Sequence, residues 1–243
     1  MKQTGKVYLV GAGLGNIDYL TIRGQQLLAQ ADVIVYDALV DTQLLQLVST
    51  NCLKLNVGKR GGLPSTPQSE IDCLLVKQCQ LGKQVVRLKS GDPFIFGRST
   101  SEIQALIAAG CEFEVVPGIS SALAAPLLAG IPLTDPILSR GFTVVTAHEP
   151  DALDWEALAR METLVILMGG RNLSQIIHHL EKNGRSLSTP IAIIRWAGSP
   201  QQQVWTSTLE NIIKQTSGIS LSPAVIVIGE VVRLAISNNS PSS

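Results

Sequence analysis

Four stretches in the first half of the chain hold residue types from which a ligand site can be built. They are Gly11-Ala12-Gly13-Leu14-Gly15-Asn16, the carboxylate Asp37, the run Gly58-Lys59-Arg60-Gly61-Gly62, and the segment from Lys89 to Arg98 (KSGDPFIFGR). Glycines where a strand ends let a ligand approach the backbone. A carboxylate at Asp37 can accept a proton or stabilise positive charge, and it falls about where a dinucleotide-binding fold places its ribose-binding acid. Taken alone, that pair suggests a nicotinamide or flavin site. The match is imperfect, because the sixth position of G-x-G-x-x-G is Asn16, and a tight βα turn without a ligand would carry the same glycines. The cations Lys59, Arg60, Lys89 and Arg98 suit an anionic ligand, and Arg60 or Arg98 can grip a carboxylate through paired hydrogen bonds. Singly, each reads as a solvated loop charge; four in turns at one sheet edge, beside Asp37 and Asp92, read as a set.

The elements between these stretches are what would make them neighbours. Val7 to Val10, Val33 to Tyr36, Leu53 to Val57, Val85 to Leu88 and Phe113 to Val116 are nearly continuous apolar runs, the pattern of parallel strands covered on both faces. Ile71, Leu74, Leu75 and Cys79 share one helix face, as do Ile103, Leu106 and Ile107, supplying the crossover helices that parallel strands need. After Pro117-Gly118, a small-residue helix runs from Ser120 to Ala129. Later strands are predicted at Phe142 to Thr146, Leu164 to Met168, Ile191 to Arg195, Val204 to Ser207 and Ala224 to Ile228, with a helix through Leu173, Ile176, Ile177 and Leu180. The short Gly198-Ser199-Pro200 loop predicts a hairpin, so the second sheet is expected to be mixed. The reading is α/β in two domains, 1–117 with a parallel sheet and 118–236 with a mixed one, followed by a small polar tail, 237–243, expected to be disordered.

Composition narrows the classes. The 243 residues are 45% hydrophobic and 16% charged, enough apolar content for sizeable cores. Nineteen basic residues balance nineteen acidic ones, which argues against sequence-independent nucleic-acid binding. The longest mostly apolar stretch, Ala122 to Leu133, is too short for a bilayer and is broken by Pro126, Gly130 and Pro132. Residues 1–6 lead straight into a strand-like run, so no signal peptide is expected and the reading is a cytoplasmic protein. Cys52, Cys73, Cys79 and Cys111 form no C-x-x-C pair and lack histidines at zinc-ligand spacing, so they read as reduced thiols and no metal site is assigned.

From Val7 to about Leu234, ordered motifs carry a resemblance. They are VYLVGAGLGNIDYLTIRGQQLLAQADVIVYDALV, VGKRGGLPSTPQSEID, VVRLKSGDPFIFGR, VVPGISSALAAPLLAGIPLT, TLVILMGG, TPIAIIRW and SPAVIVIGEVV. The chain resembles the tetrapyrrole methyltransferase superfamily and, within it, the uroporphyrinogen-III C-methyltransferases. That resemblance implies two α/β domains with a ligand cleft between them and a homodimer. It implies S-adenosyl-L-methionine as methyl donor and uroporphyrinogen III as substrate, methylated at carbons 2 and 7 to give precorrin-2 for sirohaem and cobalamin. The donor carries no phosphate, so Gly11, Gly13 and Gly15 would serve a tight turn rather than a pyrophosphate. Uroporphyrinogen has eight carboxylates, which would give Arg60, Lys89 and Arg98 a reason to share a cleft.

By the same resemblance, the proton acceptor falls on Asp37 and the lysine treated as proton donor on Lys59, which could instead hold a substrate carboxylate. Donor contacts fall on Leu14, Ser90, Gly91, Asp92, Ile95, Ser120, Ser121, Met168 and Ala197. Several positions depart from the family pattern: Leu14 stands for proline, Ser90 for glycine, Ser99-Thr100-Ser101 for part of R-G-G-E-E, and Pro64 for histidine. Ala147 and Ser120-Ser121 also differ, as does Ala197-Gly198. A later-precorrin methyltransferase and a non-catalytic tetrapyrrole or donor binder are the alternatives these departures keep open. Outside the resemblance, His178-His179 reads as a solvated helix edge, Trp155, Trp196 and Trp205 as core or interface residues, and Met168 as core. Donor-dependent methyl incorporation separates an enzyme from a binder or a dehydrogenase.

Overall fold

A computed structural model describes residues 5–58 and 66–236. Lys59, Arg60 and Pro64, and the expected tail 237–243, lie outside the described residues. The chain divides into two compact units, Met1–Ser120 and Ser121–Ser243.

The first unit contains β1 (Lys6–Gly11), α1 (Ile22–Ala29), β2 (Val33–Tyr36), β3 (Leu53–Asn56), α2 (Gln68–Gln80), β4 (Gln84–Lys89), α3 (Ser99–Ala108) and β5 (Glu112–Val116). Its sheet has the order β3-β2-β4-β1-β5 with every pair parallel. Side chains alternate between two cores, as the strand period requires. Val10, Ile34, Val86 and Leu88 pack with Leu27 and Leu28 of α1 on one face. Val7, Leu9, Val33, Val35 and Val85 pack with Ile71 and Leu75 of α2 and Leu106 of α3 on the other. The edge strand β3 is mostly exposed, so the continuous-burial pattern holds for the central strands. From the centre, β1 connects toward β2 and β4 toward β5, so adjacent strands send their connections opposite ways, where open α/β sheets bind ligands.

The backbones leaving β1, β4 and β5 touch. A Cβ on Gly118 would stand 2.2 Å from the Gly91 carbonyl oxygen and 2.6 Å from Gly11 Cα. Gly13 and Gly91 exchange hydrogen bonds of 3.2 and 2.8 Å, tying the two loops together beyond the sheet. Gly13 also needs its left-handed conformation (φ +62°), and its missing Cβ leaves room for the Tyr19 carbonyl.

The second unit begins with α4 (Ser121–Leu128), followed by β6 (Phe142–Thr146), α5 (Trp155–Ala159), β7 (Thr163–Leu167), α6 (Leu173–Lys182), β8 (Pro190–Arg195), β9 (Gln203–Thr208), α7 (Ile212–Gln215) and β10 (Ala224–Ile228). The sheet order is β6-β7-β10-β8-β9, with β6 and β7 parallel and the other pairs antiparallel. The β8–β9 hairpin follows from its short loop, and the sheet is mixed. Leu164, Ile166, Ile191 and Ile193 face α5, α6 and α7, while Val165, Ala192 and Ile194 face α4. The strand read as reaching Met168 stops at Leu167, because Met168 turns left-handed (φ 56°) and is 49% exposed. Met168 is therefore not a core residue.

The glycine contact predicts that Gly118→Ala destabilises the protein by about 1–3 kcal/mol through backbone overpacking. Gly141→Ala, where a Cβ meets nothing within 4 Å, should change stability by less than about 0.5 kcal/mol. Urea denaturation of both variants checks this.

Candidate functional site

The loop after β4 is built by its own side chains. Asp92 accepts from the Phe94 amide at 2.9 Å through one carboxylate oxygen and from the Gly118 amide at 3.2 Å through the other. Its carboxylate thus joins the ends of β4 and β5 and is engaged with backbone. Ser99 donates to the Pro93 carbonyl at the start of α3. Phe96 and Arg98 are both left-handed (φ 53° and 55°), which turns the chain sharply and leaves Phe94, Ile95 and Phe96 exposed. Arg98 is exposed just ahead of α3, free of any ion pair among the described residues. Ser90 is exposed, Gly91 is buried in the glycine contact, and Leu14 is half-buried.

Asp37 follows β2 directly, and its amide donates to the Leu88 carbonyl at 3.3 Å. Its carboxylate Oδ1 accepts from Arg87 Nη2 at 2.6 Å. Arg87 Nε donates to Glu102 Oε1 at 2.8 Å, and Lys89 Nζ donates to Glu102 Oε2 at 2.7 Å. Arg87 is 3% exposed, Lys89 2% and Glu102 0%, whereas the Asp37 side chain is 32% exposed. Strand alternation explains the assembly: Val85, Arg87 and Lys89 project to the face covered by α3, where Glu102 waits on the first turn of that helix. Two cations and two carboxylates make a formally neutral group that opens to solvent only at Asp37. Burial works against the Arg87 charge, but Asp37 and then Glu102 outweigh it and raise its pKa. Burial, and then the neighbouring Arg87, pull the Lys89 pKa down, with Glu102 opposing.

Lys89 thus corrects a sequence expectation. The sequence places it among four cations open to an anionic ligand, but its ammonium is buried and held by Glu102. A lysine that ends a strand points back along the sheet face instead of outward into the loop. The structure brings Asp37, Asp92 and Arg98 to the carboxyl edge of the first sheet, as expected. Arg87 and Glu102 were missed as functional candidates. The available signal was a charged pair inside an otherwise apolar strand, VVRLK, which burial could accept only with buried counter-charges.

In the second unit, β7 and β8 both run antiparallel to β10, so their carboxyl ends lie on one edge. Met168 follows one and Trp196 the other, both left-handed (φ 56° and 51°), with Ala197 half-buried beside Trp196. Ser199 Oγ donates to the Trp196 carbonyl at 2.8 Å and closes that turn. Asn172 donates to the Ala147 carbonyl at 2.8 Å at the end of the parallel β6. Ser121 opens α4, and Ser120, the last residue of the first unit, is buried. Trp155 is a core residue whose ring stacks on His179 at 5.1 Å; His179 also meets Asp151 at 3.2 Å, so it is packed, while His178 is exposed. Among the described residues, no group of three His, Cys, Asp or Glu could hold a metal ion, and no helix is long and apolar enough to cross a membrane.

The chain thus carries a parallel sheet whose carboxyl edge holds a carboxylate beside glycine-packed loops, and a second, mixed sheet. Residues 6–213 match the model of the family Tetrapyrrole (Corrin/Porphyrin) Methylases, and the chain belongs to that family. It is 61% identical over 231 residues to a uroporphyrinogen-III C-methyltransferase of Synechococcus elongatus, covering 95% of each chain. It is 48% identical over 234 residues to a siroheme synthase of Sodalis glossinidius, covering 95% of this chain and 50% of that protein; the chain spans about half the length of such relatives. A uroporphyrin-III C-methyl transferase of Thermus thermophilus, solved with S-adenyl homocysteine, superposes with a TM-score of 0.82 at 37% identity, covering 95% of this chain and all of that one (100%).

The buried group predicts a contrast in stability. Glu102→Ala, which leaves the buried Lys89 without an ion-pair partner and Arg87 with Asp37 alone, should cost about 3–5 kcal/mol. Arg160→Ala, which breaks the exposed pair with Glu156, should cost less than about 1 kcal/mol. Chemical denaturation of the two variants measures the difference.

Proposed function

We propose that the chain is an S-adenosyl-L-methionine-dependent C-methyltransferase that converts uroporphyrinogen III to precorrin-2 by methylation at carbons 2 and 7, feeding sirohaem and cobalamin synthesis. The observation that carries this reading is the near-full-length likeness to the Synechococcus protein, together with a partly exposed carboxylate, Asp37, held at the carboxyl edge of the first sheet. The described loops suit this donor. Gly11 and Gly118 are filled by each other's backbone and by the Gly91 carbonyl, and Gly13 by the Tyr19 carbonyl, so these glycines serve close backbone packing. When bound, the donor supplies an electrophilic methyl group on a sulfonium.

Leu14, Ser90, Gly91, Asp92, Ile95 and Ser120 in the first unit, and Ser121, Met168 and Ala197 in the second, are proposed to hold it. Asp92 acts through the backbone it ties together, and Met168 through a side chain that its left-handed turn leaves exposed. Alignment of the reacting atoms supplies much of the acceleration for an in-line displacement. A pyrrole carbon that gains a methyl leaves a cationic ring, which becomes neutral on losing a proton. Asp37 stabilises that charge and takes the proton. Arg98, and the undescribed Lys59 and Arg60, are proposed to meet substrate carboxylates, with Lys59 alternatively donating a proton. We further propose that the protein acts as a cytoplasmic homodimer without a nucleic-acid partner.

The test is an anaerobic assay with uroporphyrinogen III and labelled S-adenosyl-L-methionine, followed by mass analysis. Two added methyl groups are expected. One methyl would mean that the departures at Leu14 and Ser90 narrow the reaction, and no transfer would reject the reading. Asp37→Asn should keep donor binding and lower kcat by about 100-fold or more; wild-type turnover would remove Asp37 from the mechanism. Arg98→Ala should chiefly raise the KM for uroporphyrinogen III, and an unchanged KM would remove Arg98 from substrate binding.

A further inference from the structure

A carboxylate that takes a proton needs no buried guanidinium behind it, and a central strand needs no charges at all. Apolar replacements of a buried ion group often leave a domain equally stable or more so, which makes the Asp37–Arg87–Glu102–Lys89 group a poor device for stability alone. Its geometry has a direction. Each Glu102 oxygen serves a different cation, so Glu102 cannot rotate without breaking one pair. Arg87 in turn spends Nε on Glu102, Nη2 on Asp37 and Nη1 on the Val35 carbonyl at 3.4 Å, so the guanidinium plane is set from three sides. Only Asp37, at the open end, has a carboxylate oxygen without a hydrogen bond among the described residues.

We propose that Arg87 is a positioning residue for methyl transfer: anchored by Glu102, which Lys89 holds in turn, it fixes the Asp37 carboxylate through Oδ1 and leaves Oδ2 to take the proton. This rests on the reading of Asp37 given above. Arginine does not give up its proton in proteins, so Arg87 closes any route from Asp37 inward to Glu102. The proton taken on Oδ2 therefore leaves outward, from the one member of the group that reaches solvent. Lys89 belongs to this anchor and not to substrate recognition. Lysine at position 87 would keep the charge but offers one nitrogen in place of a planar fork, so it cannot hold two carboxylates on opposite sides.

Arg87→Lys is expected to fold, to bind S-adenosylhomocysteine with unchanged stoichiometry, and to lower kcat by about tenfold to a hundredfold with little change in the KM values. Arg87→Gln combined with Glu102→Gln, which removes one charge of each sign, provides a second variant if the single one is unstable. The decisive reading is a cycle with Asp37→Asn, since a residue that acts only through Asp37 has nothing further to lose once that carboxylate is gone. The Arg87 variants should slow the wild-type background and leave the Asp37→Asn background unchanged. Equal fractional losses in both backgrounds would overturn the proposal and make Arg87 a structural residue, as would wild-type kcat in Arg87→Lys. Failure of the wild-type protein to methylate uroporphyrinogen III would instead reject the function itself, and the positioning role with it.

Discussion

Parallel pairing of β1 with β4 at the centre of the first sheet brings two very different needs to one place. Val7 lies opposite Val85 and Gly11 opposite Lys89, so both strands end together and their loops must leave side by side. Close exit is possible because Gly11 and Gly118 have no side chains; each other's backbone and the Gly91 carbonyl occupy the space that their Cβ atoms would take. On the other side of β4, the β2–β4 register places Arg87 across from Val35, and two residues on, just past the end of β2, the chain reaches Asp37 on the same face. The placement of Arg87 beside Asp37 follows from that β2–β4 register. A slip of one residue would send Arg87 to the apolar face against α1.

The charges show how a low-dielectric interior can be used. Arg87, Lys89 and Glu102 would each be costly alone. Together with Asp37 they form a neutral group whose one solvent-facing member is that carboxylate, with its orientation set by partners that cannot move independently. Asp92 works by a different rule, since its two oxygens bind amides of its own loop and of the segment after β5. One acid is held by side chains to act on a substrate, and the other holds backbone so that a loop keeps its shape. The same residue type serves both tasks because the partners differ.

The second unit solves its edge with strained backbone. Met168 and Trp196 both follow strands that flank β10 from opposite sides, and both adopt a left-handed conformation that non-glycine residues seldom take. Such turns redirect the chain at once after the last strand hydrogen bond, which is why a methionine continuous with an apolar strand is half exposed. Strain of this kind concentrates where a chain must present groups instead of burying them.

Much of this was legible in the residues. The strands of the described residues, the parallel and mixed character of the two sheets, and the hairpin after β8 follow from apolar runs and turn residues, because strand patterning is local. Asp37, Asp92 and Arg98 could be placed at a sheet edge by counting from strand ends, and family motifs supplied roles for them. Tertiary structure alone decided where side chains of equal type point. Lys89 reads as one more loop cation and proves to be a buried counter-charge; Met168 reads as core and is exposed; Arg87 and Glu102, 15 residues apart in sequence, become partners at 2.8 Å. The physical reason is that element type depends on near neighbours in sequence. The fate of a charge depends on what packs against its face, and only the folded chain brings that partner near.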